Sequence, residues 1–174
     1  MEDNSSILVV YESPNKYKLF RSLFDEIGLE CTYTYTQGRI FDIPEDRIGL
    51  KSNMKMDLVP VNENRLGHLA KQISKHDTVF CMTDMDDEGE WIADSVKKIC
   101  HEHDETTFLR LNLTSYTKES LISAIESADE TLNLDAIYSA QARRFIDRYI
   151  GYHDNDKSLH RGRVLTPLLF SIYE

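Results

Sequence analysis

The sequence predicts an α/β fold: a mainly parallel, Rossmann-like sheet flanked by helices, followed by a short all-helical C-terminal segment. Three observations predict it. Apolar, β-branched runs of strand length, SILVVY, TVFCM and TTFLRLNL, are each bounded by turn residues. They alternate with stretches whose apolar residues recur every three or four positions, the order that yields parallel strands with helices on both faces. Near residue 130 the alternation stops and helical periodicity alone continues, which divides the chain into an α/β unit, 1–130, and the start of a helical one, 131–174.

SILVVY (Ser6–Tyr11) reads as a buried strand. Ser13 then suits an N-cap and Pro14 a first helical position. Leu19, Phe20, Leu23, Phe24 and Ile27 line one helical face, and Gly28 ends the helix. CTYTYT (Cys31–Thr36) alternates like a strand, Gly38 breaks it, and RIFDI (Arg39–Ile43) is a further short strand. With Pro44, Gly49 and Pro60, residues 44–60 read as an irregular excursion. A helix with Leu66, Leu69 and Ile73 on one face leads into the strand TVFCM (Thr78–Met82). Trp91, Ile92, Ser95, Val96 and Ile99 mark a helix reaching about His101, with Trp91 expected to point toward the sheet. A strand at Thr106–Leu113 and helices at Lys118–Ser127 and Leu134–Tyr149 complete the chain.

Among 174 residues, no apolar run is long enough to cross a bilayer. The acidic opening MEDNSS lacks the order of a signal peptide. Cys31, Cys81 and Cys100 form no CxxC pair, which suggests reduced thiols, a cytoplasmic protein and no zinc site. The net charge of −10 is uneven: residues 1–130 hold 14 Lys and Arg against 25 Asp and Glu, and 131–174 hold 6 against 5. An acidic surface repels a polyanion, which argues against a passive nucleic-acid sleeve. Clustered carboxylates can still meet phosphate when divalent cations stand between them.

The sharpest such cluster is TDMDDEGE (Thr83–Glu90), with five carboxylates in eight residues. It follows one buried strand and precedes a helix, as Glu12 follows another. In a parallel sheet both positions lie at the carboxyl edge, where open α/β folds bind ligands. Asp84, Asp86 and Glu88 alternate, so a bent loop can turn several oxygens inward, and Gly89 permits a tight turn. Hard oxygen donors suit Mg²⁺. Three other readings compete. An EF-hand calcium loop needs a glutamate where Ser95 stands and a helix where a strand precedes. A D-x-D phosphatase would use an aspartate nucleophile. A helix start decorated with acids that favour its dipole suffices for Asp87 and Glu90.

These residues resemble a Toprim domain, and more narrowly the N-terminal part of the type IA DNA topoisomerases. LVVYESPNKYK (Leu8–Lys18), TDMDDEGEWIA (Thr83–Ala93), LTSYTKESLISAI (Leu113–Ile125), AIYSAQARRFIDRYIGY (Ala136–Tyr152) and GRVLTP (Gly162–Pro167) follow one another in the family's order. The resemblance implies a Toprim-like fold and a set of roles. Glu12 acts as general acid toward the leaving 3′ oxygen, and Lys16 stabilises charge on the scissile phosphate. Glu12, Asp84, Asp86 and Glu88 hold Mg²⁺. Arg143 and Asp147 position phosphate and nucleophile, although an i,i+4 Arg–Asp pair is also a common surface bridge. Lys16, Arg143, Arg144, Arg148, Arg161 and Arg163 contact DNA, expected to be single-stranded. Gly38 and Arg39, in QGRIFDIP, resemble a glycine-led family segment and carry no assigned chemistry.

Two departures stand out. The family usually has a basic residue where this chain has Asp87. The family's nucleophilic tyrosine also lies in a later domain, and none of the nine tyrosines present sits in such a context. Without that tyrosine no phosphotyrosyl intermediate forms. The expectation is a topoisomerase fragment or split subunit whose cleavage needs a partner polypeptide carrying the tyrosine. Alternatives are a free-standing Toprim nuclease or phosphoryl-transfer enzyme using metal-activated water, or a non-catalytic module binding DNA or a partner.

Overall fold

The computed structural model describes residues 6–53, 55–103 and 105–152, together with 164, 168, 171 and 172. Its elements follow the alternation in the sequence: β1 (Ile7–Tyr11), a 3₁₀ turn (Pro14–Lys16), α1 (Tyr17–Ile27), β2 (Thr32–Tyr35), β3 (Phe41–Asp42), β4 (Val59–Pro60), α2 (Glu63–Ile73), β5 (Thr78–Cys81), α3 (Asp87–Cys100), β6 (Thr107–Arg110), α4 (Lys118–Glu126) and α5 (Leu134–Tyr152). The main sheet has the order β2-β1-β5-β6, and every neighbouring pair is parallel.

β1 is apolar throughout because both of its faces are covered. Leu8 and Val10 face one way, with Val79, Cys81, Leu69, Ile73, Val96 and Ile99, under α2 and α3. Val9 and Tyr11 face the other, with Phe20, Phe24, Phe80, Met82 and Leu121, under α1 and α4. This is the two-residue period of a strand read on two cores at once. Each large apolar side chain so buried contributes about 1.5–3 kcal/mol. A third cluster, Trp91 with Ile137 and Ala140, joins α3 to α5.

Three local readings are corrected. Ser13 caps a 3₁₀ turn rather than the α-helix itself, and α1 starts at Tyr17. The stretch 44–60 is not wholly irregular: β4 pairs antiparallel with β3, and Leu50 bridges Met56. Strands of two residues carry no periodicity to read. Trp91 does not point toward the sheet; it is 1% exposed and packs with α5 residues. α1 does end as expected on Gly28 in the left-handed region, with φ 73°. Among the described residues no helix is long and apolar enough to cross a membrane.

Candidate functional site

β1 and β5 are neighbours, with Val10 opposite Cys81, and Met82 N donates to Val10 O at 2.8 Å. The chain therefore leaves the same sheet edge twice, side by side. From β1 come Glu12 and the turn capped by Ser13, which brings Lys16 back over the edge to pair with Asp84. From β5 come Thr83 and the acidic loop, which runs into α3.

That loop is braced from within. Thr83 Oγ1 donates to Gly89 O at 2.7 Å, and Asp86 Oδ1 accepts from Gly89 N at 2.7 Å as the N-cap of α3. Gly89 is required for close approach rather than for an unusual dihedral: a Cβ there would lie 2.0 Å from Asp84 O. Arg110, at the end of β6 and 2% exposed, braces the loop from the side. Its guanidinium donates to Cys81 O at 3.1 Å, Thr83 O at 3.0 Å and Asp84 O at 3.1 Å. The charge is balanced by Glu90, whose Oε1 accepts from Arg110 Nε at 2.9 Å, while Oε2 accepts from Asn133 N at 2.9 Å. Glu90, read from the sequence as an acid favouring the helix dipole, is also the buried partner of an arginine.

Cations surround the loop. Lys16 Nζ pairs with Asp84, Arg39 forks onto Glu88, with its Nη2 donating to Oε2 at 2.9 Å, and Arg143 reaches Asp87. Arg39 also donates to Asp42 at 3.2 Å and stacks on Trp91, 4.8 Å from the ring centroid. Asp42 accepts from Arg144 Nε and Nη2, each at 2.8 Å. Arg148 Nη1 donates to Glu45 O at 3.3 Å and Nη2 to Ile43 O at 3.5 Å. Between the acidic loop and α5 lies a cleft of about 540 Å³, which Arg39, Glu88, Arg143, Arg144 and Asp147 help to line. Arg161 and Arg163 lie outside the described residues.

The electrostatics follow from this crowding. Burial raises the Glu12 carboxyl above its ordinary value, the charges of Asp84, Asp86 and Glu88 raise it further, and Lys16 partly offsets them. Burial alone would lower Lys16; the hydrogen bond and charge of Asp84, with help from Tyr116, outweigh it and hold the ammonium above its usual value. For Asp42 burial would raise the carboxyl, but Arg144, the Ile43 N–H and Arg39 together hold it below the usual range. Glu12 thus stands within the field of three loop carboxylates, which is the convergence expected of two neighbouring strand ends.

A divalent cation suits the donor chemistry, because the acids are hard oxygen donors whose mutual repulsion it would relieve. As arranged, however, three of these acids are neutralised by Lys16, Arg39 and Arg143. Among the described residues no three Asp, Glu, His or Cys side chains stand together as one ion's ligands. Asp84 and Glu88 would have to exchange a protein cation for the ion.

A family model described as the Toprim domain matches residues 7–116. The chain belongs to the Toprim family. Its Toprim segment spans β1 through the start of α4's approach and so contains Glu12, Lys16 and the whole acidic loop. DNA topoisomerase 1 of Pasteurella multocida (strain Pm70) is 33% identical over 85% of this chain and 21% of its own length. DNA topoisomerase 1 of Escherichia coli (strain K12) is 26% identical over 83% of this chain and 20% of its own. The chain thus spans about a fifth of the curated relatives it matches. The full-length topoisomerase I of Thermotoga maritima superposes with a TM-score of 0.68 at 23% identity, over 83% of this chain and 24% of that one, which supports the Toprim fold.

Sequence reasoning left three Toprim residues without a role: Arg110, Asp42 and the Glu88 partner Arg39. Arg110 carried a usable signal, since an arginine within the apolar run TFLRL must find a buried partner. Arg39 and Asp42 did not, because the partners that tie their own i,i+3 pair to the site, Glu88 and Arg144, are distant in the chain.

Proposed function

We propose that this Toprim protein is the DNA-binding, cation-dependent part of a type IA topoisomerase-like activity. It would act on single-stranded DNA, with the attacking tyrosine supplied by another segment or polypeptide. The observation that carries the reading is the meeting of Glu12 with the acidic loop at adjacent ends of β1 and β5, in the field of Asp84, Asp86 and Glu88. In this reading residues 1–130 form the Toprim unit and 131–174 begin the helical DNA-binding part. The unpaired thiols of Cys31, Cys81 and Cys100 support a cytoplasmic setting.

Each side chain then has a chemical task. Glu12 is the general acid toward the leaving 3′ oxygen, and burial and the loop carboxylates shift its carboxyl upward, the direction that favours this task. Lys16 supplies a fixed positive charge for a phosphate oxygen. Arg143 and Asp147, lining the cleft from α5, orient the phosphate and the incoming nucleophile. Arg144, Arg148, Arg161 and Arg163 bind the strand's backbone. Glu12, Asp84, Asp86 and Glu88 would hold Mg²⁺, which when bound neutralises phosphate charge.

The test mixes the chain with the tyrosine-bearing remainder of the Pasteurella multocida relative and a 3′-labelled single-stranded oligonucleotide. A covalent protein–DNA adduct is expected with Mg²⁺, and Lys16→Ala should reduce its rate of formation by about 10²–10³. Absence of adduct from every mixture contradicts the reading. Nicking by the chain alone without an adduct would move it to a nuclease.

A further inference from the structure

We propose that a cavity beside Lys16, lined by residues other than those of the arginine-bearing cleft, seats one unpaired base of the bound strand, with the Tyr116 ring as its stacking platform. This rests on the single-stranded DNA reading above and adds where one base of that strand goes.

The cavity lies at the carboxyl edge of the sheet, between the chain leaving β5 and the chain leaving β6. Its floor is core: Phe20 from α1, Met82 after β5 and Leu111 after β6 are all buried. Its rim is apolar yet open, with Met85 56% and Tyr116 52% exposed. The volume is about 220 Å³, below the roughly 300–1,000 Å³ of pockets for drug-sized ligands, so it suits a single ring system. Tyr116 continues a line of rings that starts in the core: the Tyr11 and Phe20 centroids are 5.4 Å apart, and those of Phe20 and Tyr116 6.1 Å. The segment carrying Tyr116 is held although it is exposed. Ser115 N donates to Ser120 Oγ at 3.3 Å, and Thr117 Oγ1 caps α4 by accepting from Ser120 N at 3.3 Å. The platform is thus placed before a ligand arrives, which lowers the entropy cost of stacking on it.

The polar side selects the ligand. Thr83, Asp84 and Lys16 close the cavity toward the acidic loop. Lys16 pairs with Asp84, so this wall carries no net charge and a phosphate gains little by entering. A nucleobase is neutral, flat and polar at its edges. Its face can stack on Tyr116, its ring edge can meet Met82 and Met85, and its polar groups can use Lys16 and Asp84 as donor and acceptor. A duplex cannot offer such a face, because its bases are already stacked and paired, so the cavity favours single strands. Lys16 is also the cation set against the scissile phosphate in the reading above, which makes the seated base that of a nucleotide flanking that bond.

The experiment illuminates the full chain with oligo-dT carrying one 5-iododeoxyuridine, which bonds to aromatic or methionine side chains that touch it, and maps the adduct by mass spectrometry. Anisotropy of a fluorescein-labelled oligo-dT measures affinity. In wild type the adduct should fall on Tyr116 or Met85. Tyr116→Ala should bind the oligonucleotide about tenfold more weakly, the loss of one base–aromatic stack. Tyr116→Phe, which keeps the ring, should bind as wild type does. Oligonucleotide binding with the adduct elsewhere, or with Tyr116→Ala equal to wild type, overturns the base cavity while leaving the DNA reading intact. Equal losses in the Ala and Phe variants also overturn it, since the hydroxyl beside Lys16, and not the ring, would then matter. Absence of oligonucleotide binding from all three proteins overturns both.

Discussion

Gly89 and Asp42 show how single residues set this site. Gly89 gives way to Asp84's backbone, 2.0 Å from where a Cβ would stand. Gly89→Ala should therefore destabilise the protein by about 1–3 kcal/mol, since the neighbour is main chain and cannot rotate away. The shift of the urea midpoint measures it, and an unchanged midpoint would refute the close approach. The need for glycine was legible in the sequence, but its cause was not, because turn and close approach leave the same letter. Asp42 joins Arg39 to Arg144. With its folded-state pKa depressed, its contribution is fully present above the ordinary value of 3.8 and is lost as pH falls through the lower folded-state value. Asp42→Asn should cost about 1.5–3 kcal/mol at pH 7. The difference from wild type should shrink below about pH 4, as followed by urea titrations across that range.

At the scale of elements, β5, the acidic loop and α3 form one braced unit, and β6 supplies the brace. Removing the charge of Glu90 leaves Arg110 buried without its counter-ion, so Glu90→Gln should cost about 3–5 kcal/mol in urea unfolding. A cost no larger than that of an exposed acid would show that the brace does not matter. α5 rests on α3 through Trp91, Ile137 and Ala140. Ile137→Ala should cost about 2–5 kcal/mol, and also weaken oligonucleotide binding, because Arg143 and Arg144 ride on that helix. The six longest elements were legible from apolar period, caps and Gly28. β4 was not, since two residues leave no period, and neither was the direction of Trp91, since a helix covered on two sides has no single apolar face.

Across the whole molecule, the proposed binding of a polyanion by a chain of net charge −10 requires a local reversal of charge. The cleft sets three arginines, Arg39, Arg143 and Arg144, against four carboxylates, Asp86, Asp87, Glu88 and Asp147, so its lining alone does not reverse the charge. The convergence of Glu12 with that loop was legible because parallel strands share an edge. The neutralisation of Asp84, Asp87 and Glu88 by Lys16, Arg143 and Arg39 was not, because it depends on contacts between distant segments. The most direct measurement of the central claim is an electron paramagnetic resonance titration of the chain with Mn²⁺, a paramagnetic stand-in for Mg²⁺. Wild type should bind Mn²⁺ and, with single-stranded oligonucleotide added, show coupling of the ion to phosphorus. The double variant Asp84→Asn/Glu88→Gln should lose both signals. Equal Mn²⁺ binding by the two proteins would contradict the claim that these carboxylates bring a cation to the DNA backbone.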